Sequence, residues 1–273
     1  MKCRPSFFVL YHEVPNQLPG NPHRPPSVVA DDRRMRKPIV LGAAAALAAV
    51  ALLAGGGYIY YFSGLRTAPA QLGLSATPTT ATTTASPSAG LAGTWTVASG
   101  SVVGYRVKEL FVGQASKHEA VARTSTVSGG VTATPDSTGY QVSALTFTAG
   151  LADLHSVDSV AGRDVTQRDG TVSRQLDVQQ FPNATFTASS ASVPNGVTSG
   201  QVAVIVTGKL TVHGVTKDVT VRAKAQLAGD KAEIAGSTSI DMTDYGVSPP
   251  QVGFVTVDSA VLIEFDIFLT KAA

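Results

Sequence analysis

The stretch "GKLTVHGVTKDVTVRAKA", Gly208 to Ala225, decides how the rest of the chain is read. Up to its histidine, "QVAVIVTGKLTV" places Val202, Val204, Val206, Leu210 and Val212 in one row, with Gly208 in the same row. Beyond it, "KDVTVRAKAQL" places Val219, Val221, Ala223, Ala225 and Leu227 on one face and Asp218, Thr220, Arg222, Lys224 and Gln226 on the other. A period of two is the mark of a half-buried strand, because successive side chains leave a strand on opposite faces. His213 and Gly214 between the two runs read as a tight turn: the glycine supplies the permissive backbone, and Thr216 can bond locally to it.

The same alternation recurs along the second half of the chain. "VVGYRVKEL" sets Val103, Tyr105 and Val107 against Arg106 and Lys108. "YQVSALTF" changes phase near Ala144, which predicts a bulge. "FPNATFTASS" reads as a strand entered through Pro182. "AEIAGSTSIDM" aligns Ile234, Gly236, Thr238, Ile240 and Met242, and "VDSAVLIEFDIFL" aligns Val261, Ile263, Phe265, Ile267 and Leu269. About eight strands emerge, separated by Gly, Asn, Asp and Pro signals. One gap, Asp153 to Gln180, carries Val165, Val172 and Leu176 near helical spacing and predicts one or two short helices with loops. Eight such strands form a sandwich or a closed barrel, and pattern alone does not choose. The small residues Gly208, Ala223, Ala225 and Gly236 in the apolar rows suit an internal cavity or a tapering barrel. An eight-stranded barrel has room for one small or narrow ligand.

Ahead of these strands lies a different composition. From Ile39 to Phe62 the sequence has no charge. That is about 24 residues, or roughly 36 Å of helix, enough to cross a bilayer core with tilt. Basic residues crowd its N-terminal side and Arg66 follows it, which predicts a cytoplasmic N-terminus and an external C-terminal domain. Tyr58, Tyr60, Tyr61 and Phe62 stand where an outer aromatic belt belongs. A cleaved signal peptide ending at "APA", Ala68 to Ala70, is the competing reading, but the apolar run exceeds the usual 7–15 residues of such a leader. Residues 1–38 are expected to be a disordered basic tail, with Met35 as an alternative start. Residues 63–92, rich in Thr, Ser, Ala and Pro, are expected to be an extended, disordered stalk. The folded domain is then 93–273.

The 273 residues are 44% apolar and 15% charged, with a net charge of +2. Residues 1–38 hold seven Lys or Arg against three Asp or Glu, so the remainder is slightly acidic. This is not the footprint of a domain that holds a phosphate backbone, and no nucleic-acid partner is expected. Cys3 is the sole cysteine, which excludes a disulfide within the chain.

Four segments resemble the YceI-like family, in its order and spacing, over about Gly93 to Thr270: "GTWTVASGSVVGYRV", "DVQQFPNATF", "GKLTVHGVTKDVTV" and "IDMTDYGV". The resemblance implies an all-β domain, an eight-stranded antiparallel lipocalin-like barrel with helices at one side. It also implies an apolar tunnel outside the cytoplasm that binds a long isoprenoid or similar lipid, with no catalytic residues. The central "LHSVDSVAGRDVTQRDGTVSRQLD" departs from the family pattern, so the resemblance does not define the tunnel mouth or the ligand.

Candidate sites follow from these readings. His118, His155 and His213 lie far apart with no metal-ligand spacing, so no metal or other cofactor is expected. Asp153, His155, Ser156 and Asp158 contain the residue types of a hydrolase, but no G-x-S-x-G is present and the segment reads as a loop. Asp241, Asp244 and Tyr245 read as a carboxylate-flanked turn rather than a cation site. The sequon at Asn183 falls in a strand and is discounted. The expected ligand-binding residues are the apolar ones: Phe147, Phe186, Val206, Leu210, Val219, Val221, Ala223, Ile240 and Phe265. The expected partners are a lipid and, through Ile39–Phe62, the membrane, with a homodimer left open. The alternatives are an envelope interaction module with a solid barrel core and, less favoured, a hydrolase.

Overall fold

The computed structural model describes residues 48–52, 66–75, 90–114, 116–160 and 162–272. Residues 48–52 are helical. The expected membrane span 39–62 otherwise lies outside the described residues, as do the tail 1–38 and residues 76–89 of the stalk. Among the described residues, no helix is long and apolar enough to cross a membrane.

From Gly93 onward the chain forms a closed antiparallel barrel. Two of its eight strands are bent, and each is split in two. β2 (Gly93–Val97) continues into β3 (Val102–Phe111), and β4 (His118–Thr124) into β5 (Val127–Pro135). The other six are β6 (Gly139–Gly150), β9 (Asn183–Pro194), β10 (Val202–Val212), β11 (Val215–Ala228), β12 (Lys231–Asp241) and β14 (Val255–Lys271). Each pairs with the next in chain order, and β14 closes the ring by pairing with β12 on one side and with β2 and β3 on the other. A closed ring leaves no long edge to aggregate. Insertions hang from one end. Between β6 and β9 come β7 (His155–Ser156), β8 (Ser159–Val160) and helix α1 (Gln167–Gln175). The short β13 (Gln251–Val252) precedes β14.

Local chemistry sets the register. The β10–β11 hairpin pairs Val212 with Val215, leaving His213 and Gly214 as a two-residue loop. Both have positive φ, +50° and +72°, the geometry that joins twisted strands most tightly. His213 is thus a turn residue, with Nδ1 at 3.1 Å from the carbonyl oxygen of Tyr245 and its ring edge-on to Phe181. The bulge expected near Ala144 is present: the β5–β6 register shifts between Gly130 and Thr132, and Ala144 has φ +51°. Gly208 lies beneath the Phe186 ring, where a Cβ would come within 2.6 Å of it, so the small residue makes space for the large one inside the barrel.

Two expectations need correction. The stalk is not disordered over residues 66–75. Arg66–Thr67 forms β1, which pairs with β8, and the chain then runs along the outside of the barrel to Ser75. Arg106, expected on a solvated face, is only 5% exposed beneath it. The cause is the charge on that outer wall. Glu264, fully buried, accepts from Arg106 (2.7 Å) and Arg123 (2.9 Å). The strap supplies the polar partners still needed: the Pro69 carbonyl to Arg106, the Ala70 carbonyl to Arg123, and the Leu72 amide to Glu264. Lower down, the Ser75 amide donates to Glu233 at 2.6 Å. Buried ions need such partners, since each unpaired one would cost several kcal/mol.

Candidate functional site

The inward rows of the barrel do not meet. They enclose a cavity of about 850 Å³. The solid core weighed as an alternative is not what these residues form, and the small residues expected to leave space explain why: Ala223 faces Gly236, which in turn faces Phe265 across the closing strand pair.

All nine apolar residues singled out from the sequence line this cavity: Phe147, Phe186, Val206, Leu210, Val219, Val221, Ala223, Ile240 and Phe265. They form a belt across neighbouring strands. Phe147 pairs with Phe186, Phe186 with Leu210, Val206 with Val221, and Ile240 with Val261. The helical-spaced Val165, Val172 and Leu176 also reach it, from the α1 segment.

The two ends of the cavity differ. At one end the lining residues Leu91 and Val197 are buried, and behind them packs Trp95, fully buried, whose Nε1 donates to the Leu91 carbonyl at 2.7 Å. At the other end the lining residues Gly162, Arg163, Asp164, Gln167, Val252 and Phe254 face solvent. The mouth thus lies between the start of α1 and the β13–β14 hairpin.

A polar cluster, not anticipated from the sequence, stands just inside that mouth. Arg168 reaches from α1 to Glu109 (2.7 Å) and Asp158 (2.8 Å), and Asp158 also binds His118 (2.7 Å) and accepts from the Val121 amide. Burial alone would raise the Asp158 carboxyl, but the bonds from His118, Arg168 and the amide outweigh it and hold it far below the usual range. Burial pushes Glu109 up, against the pull of Arg168, and pushes the Tyr105 hydroxyl up as well. Glu109, His118 and Asp158 bring ligand-type atoms within 4.8 Å of one another. The Arg168 guanidinium supplies a positive charge between the two carboxylates. Tyr245 also lines the cavity. Its hydroxyl is buried with no partner among the described residues, which leaves one donor available to a ligand.

The residues with hydrolase chemistry do not assemble as a triad. Ser156 donates to Asp169 (2.6 Å), His155 Nδ1 contacts the Asp153 carbonyl, and Asp158 serves His118 and Arg168. Asp241 accepts from the Thr243 amide and hydroxyl and from Ser259, so it caps a turn, as expected.

Residues 95–269 match the family described as the YceI-like domain. The chain belongs to the YceI-like family. Similar proteins include a UPF0312 protein of Pseudomonas putida, 33% identical over 95 residues, which are 33% of this chain and 47% of that protein. Another, from Pseudomonas syringae pv. tomato, is 29% identical over 106 residues, 36% of this chain and 53% of that one. The chain spans about half the length of the curated relatives it matches. Among solved structures, a polyisoprenoid binding domain from Saccharophagus degradans implicated in plant cell wall breakdown aligns at 16% identity, covering 65% of this chain and 98% of that one, with a TM-score of 0.45. Burkholderia cenocepacia BcnA aligns at 19% identity, covering 60% and 95%, with a TM-score of 0.40.

Proposed function

We propose that the YceI-like barrel is a non-catalytic carrier that holds a long isoprenoid or similar lipid in its cavity. The observation that carries this reading is the cavity itself: about 850 Å³, walled mainly by apolar side chains, closed at Leu91 and Val197 and open between α1 and β13. A hydrocarbon chain binds such a space by burial, about 0.8 kcal/mol for each CH2, with no convergent charges at the contact. The unpartnered Tyr245 hydroxyl and the Tyr105 hydroxyl would meet the polar end of an amphiphile.

The chain is further proposed to be a single-pass membrane protein, with Ile39–Phe62 as the anchor and the barrel outside the cytoplasm. The uncharged run and the basic residues before it support this.

Detergent-free native mass spectrometry with added polyprenol tests the carrier reading. A one-to-one adduct is expected for the wild-type chain and for His213→Ala, whose side chain faces the turn. Ala223→Trp fills the belt and is expected to lose the adduct. A barrel that takes up no polyprenol, or an Ala223→Trp variant that binds as the wild type does, would sink the reading.

A further inference from the structure

β1 fixes the end of the barrel at which the chain enters it. β1 pairs Arg66 with Val160 and Thr67 with Ser159, and the Thr67 and Ser159 hydroxyls lie 2.6 Å apart. Val160 packs with Phe111 and Val255, at the mouth end of β3 and β14. The strap then descends to Glu233, near the closed end of β12, about ten residues or roughly 33 Å of extended chain. The chain therefore arrives at the mouth, not at the closed end. Phe62, the end of the apolar run, is four residues from Arg66, a reach of at most about 14 Å.

The mouth carries an exposed apolar tip. Val112 is 71% exposed, Phe254 55% and Val252 46%. They cluster, because the Val112 amide donates to the Phe254 carbonyl at 2.9 Å and Val252 pairs with Val255 in the same hairpin. Arg163 lies over the Phe111 ring at 4.2 Å and near the Phe254 ring at 5.7 Å. Among the described residues it has no ion-pair partner within 4.0 Å. An aromatic and aliphatic tip beside a free cation is the composition that settles at the headgroup boundary of a bilayer.

We infer that the barrel docks mouth-down on the bilayer through Val112, Val252, Phe254 and Arg163, so that a lipid passes between membrane and cavity without crossing water. This rests on the reading of Ile39–Phe62 as an anchor. The β1–β8 pairing holds the mouth within reach of the anchor, and the exposed tip completes the contact.

The test uses the full chain in phosphatidylcholine–phosphatidylglycerol vesicles, with Cys3→Ser and a single environment-sensitive label. The label is placed at Phe254→Cys or Val112→Cys in the tip, or at Asp230→Cys in the turn at the closed end. Labels in the tip are expected to emit blue-shifted light and lose intensity when shallow-brominated lipids are included, and the Asp230→Cys label to do neither. If the chain floats with the vesicles but tip labels stay in water, or quench no more than the Asp230→Cys label, the docking inference falls and the anchor stands. A tip label found cross-linked to another protein and dry of lipid overturns it in the same way. If the chain does not float with vesicles, anchor and docking both fall, while the carrier reading, measured by polyprenol adducts, is untouched.

Discussion

The two faces of the barrel wall at β3, β12 and β14 are built on opposite chemistries. Inward, Val103, Tyr105, Val107, Ile234, Ile263 and Phe265 bound an open cavity. Outward, Arg106, Glu264, Glu233 and Asp266 stand on the same strands, and the first three are as buried as any core residue. The inner face is apolar and not filled by the protein. The outer face is charged and largely covered. The inner wall needs only apolar character and adequate size, whereas the outer wall needs particular partners, ion by ion. Changes to the outer wall should therefore act on stability, and changes to the inner wall on binding.

The largest effect is expected on the outer wall. Glu264→Ala leaves Arg106 and Arg123 without their shared carboxylate beneath the strap, and should cost about 3–5 kcal/mol in chemical denaturation. Loss within experimental error of zero would mean the strap is not closed over that site in solution.

Asp266 offers a subtler test of the same face. Burial first, and the neighbouring Glu233 charge second, push its carboxyl from 3.8 up to about 7. The folded state then holds a proton that the unfolded state releases. The stability associated with that proton is complete below the unfolded value and is lost as pH rises through about 7. Denaturation across this window should show wild-type stability falling with pH, and Asp266→Asn should flatten the fall. Equal slopes for the two proteins would exclude Asp266 as the group responsible.

On the inner wall, Tyr245→Phe removes a buried hydroxyl that has no partner among the described residues. It should leave stability unchanged or slightly raised, and weaken polyprenol binding by about tenfold, the worth of roughly 1.4 kcal/mol. Binding of a plain long-chain hydrocarbon should not change. If both ligands weaken alike, Tyr245 acts through packing.

The inner wall was legible in the sequence because a strand with one apolar face writes its period directly. Val206, Leu210, Val219, Val221, Ala223, Ile240 and Phe265 all lie in rows that this period marks. The outer wall was not legible, because its cover comes from a segment with no period. Residues 66–75 reach Arg106, Arg123 and Glu264 chiefly through backbone groups, which no side-chain pattern records. A signal was nonetheless present: in "VLIEFDIFL" Glu264 and Asp266 share their row with Leu262 and Phe268, where a solvated face would be expected to be polar throughout. The strand made by β4 escaped for a related reason. Ala120, Val121 and Ala122 are all buried, so "HEAVART" shows no alternation. The polar cluster at the mouth joins Glu109, His118, Asp158 and Arg168 from four separate segments, and no spacing within one segment could have announced it.

Trp95 allows the central claim to be measured directly. It is the only tryptophan, and it is buried directly behind Leu91, which lines the closed end of the cavity. A polyprenol carrying a bromine or nitroxide at the end of its chain should quench Trp95 emission as it binds, with recovery on adding unlabelled polyprenol. Uptake of the labelled chain with Trp95 emission unchanged would place the lipid outside the tunnel and contradict the account.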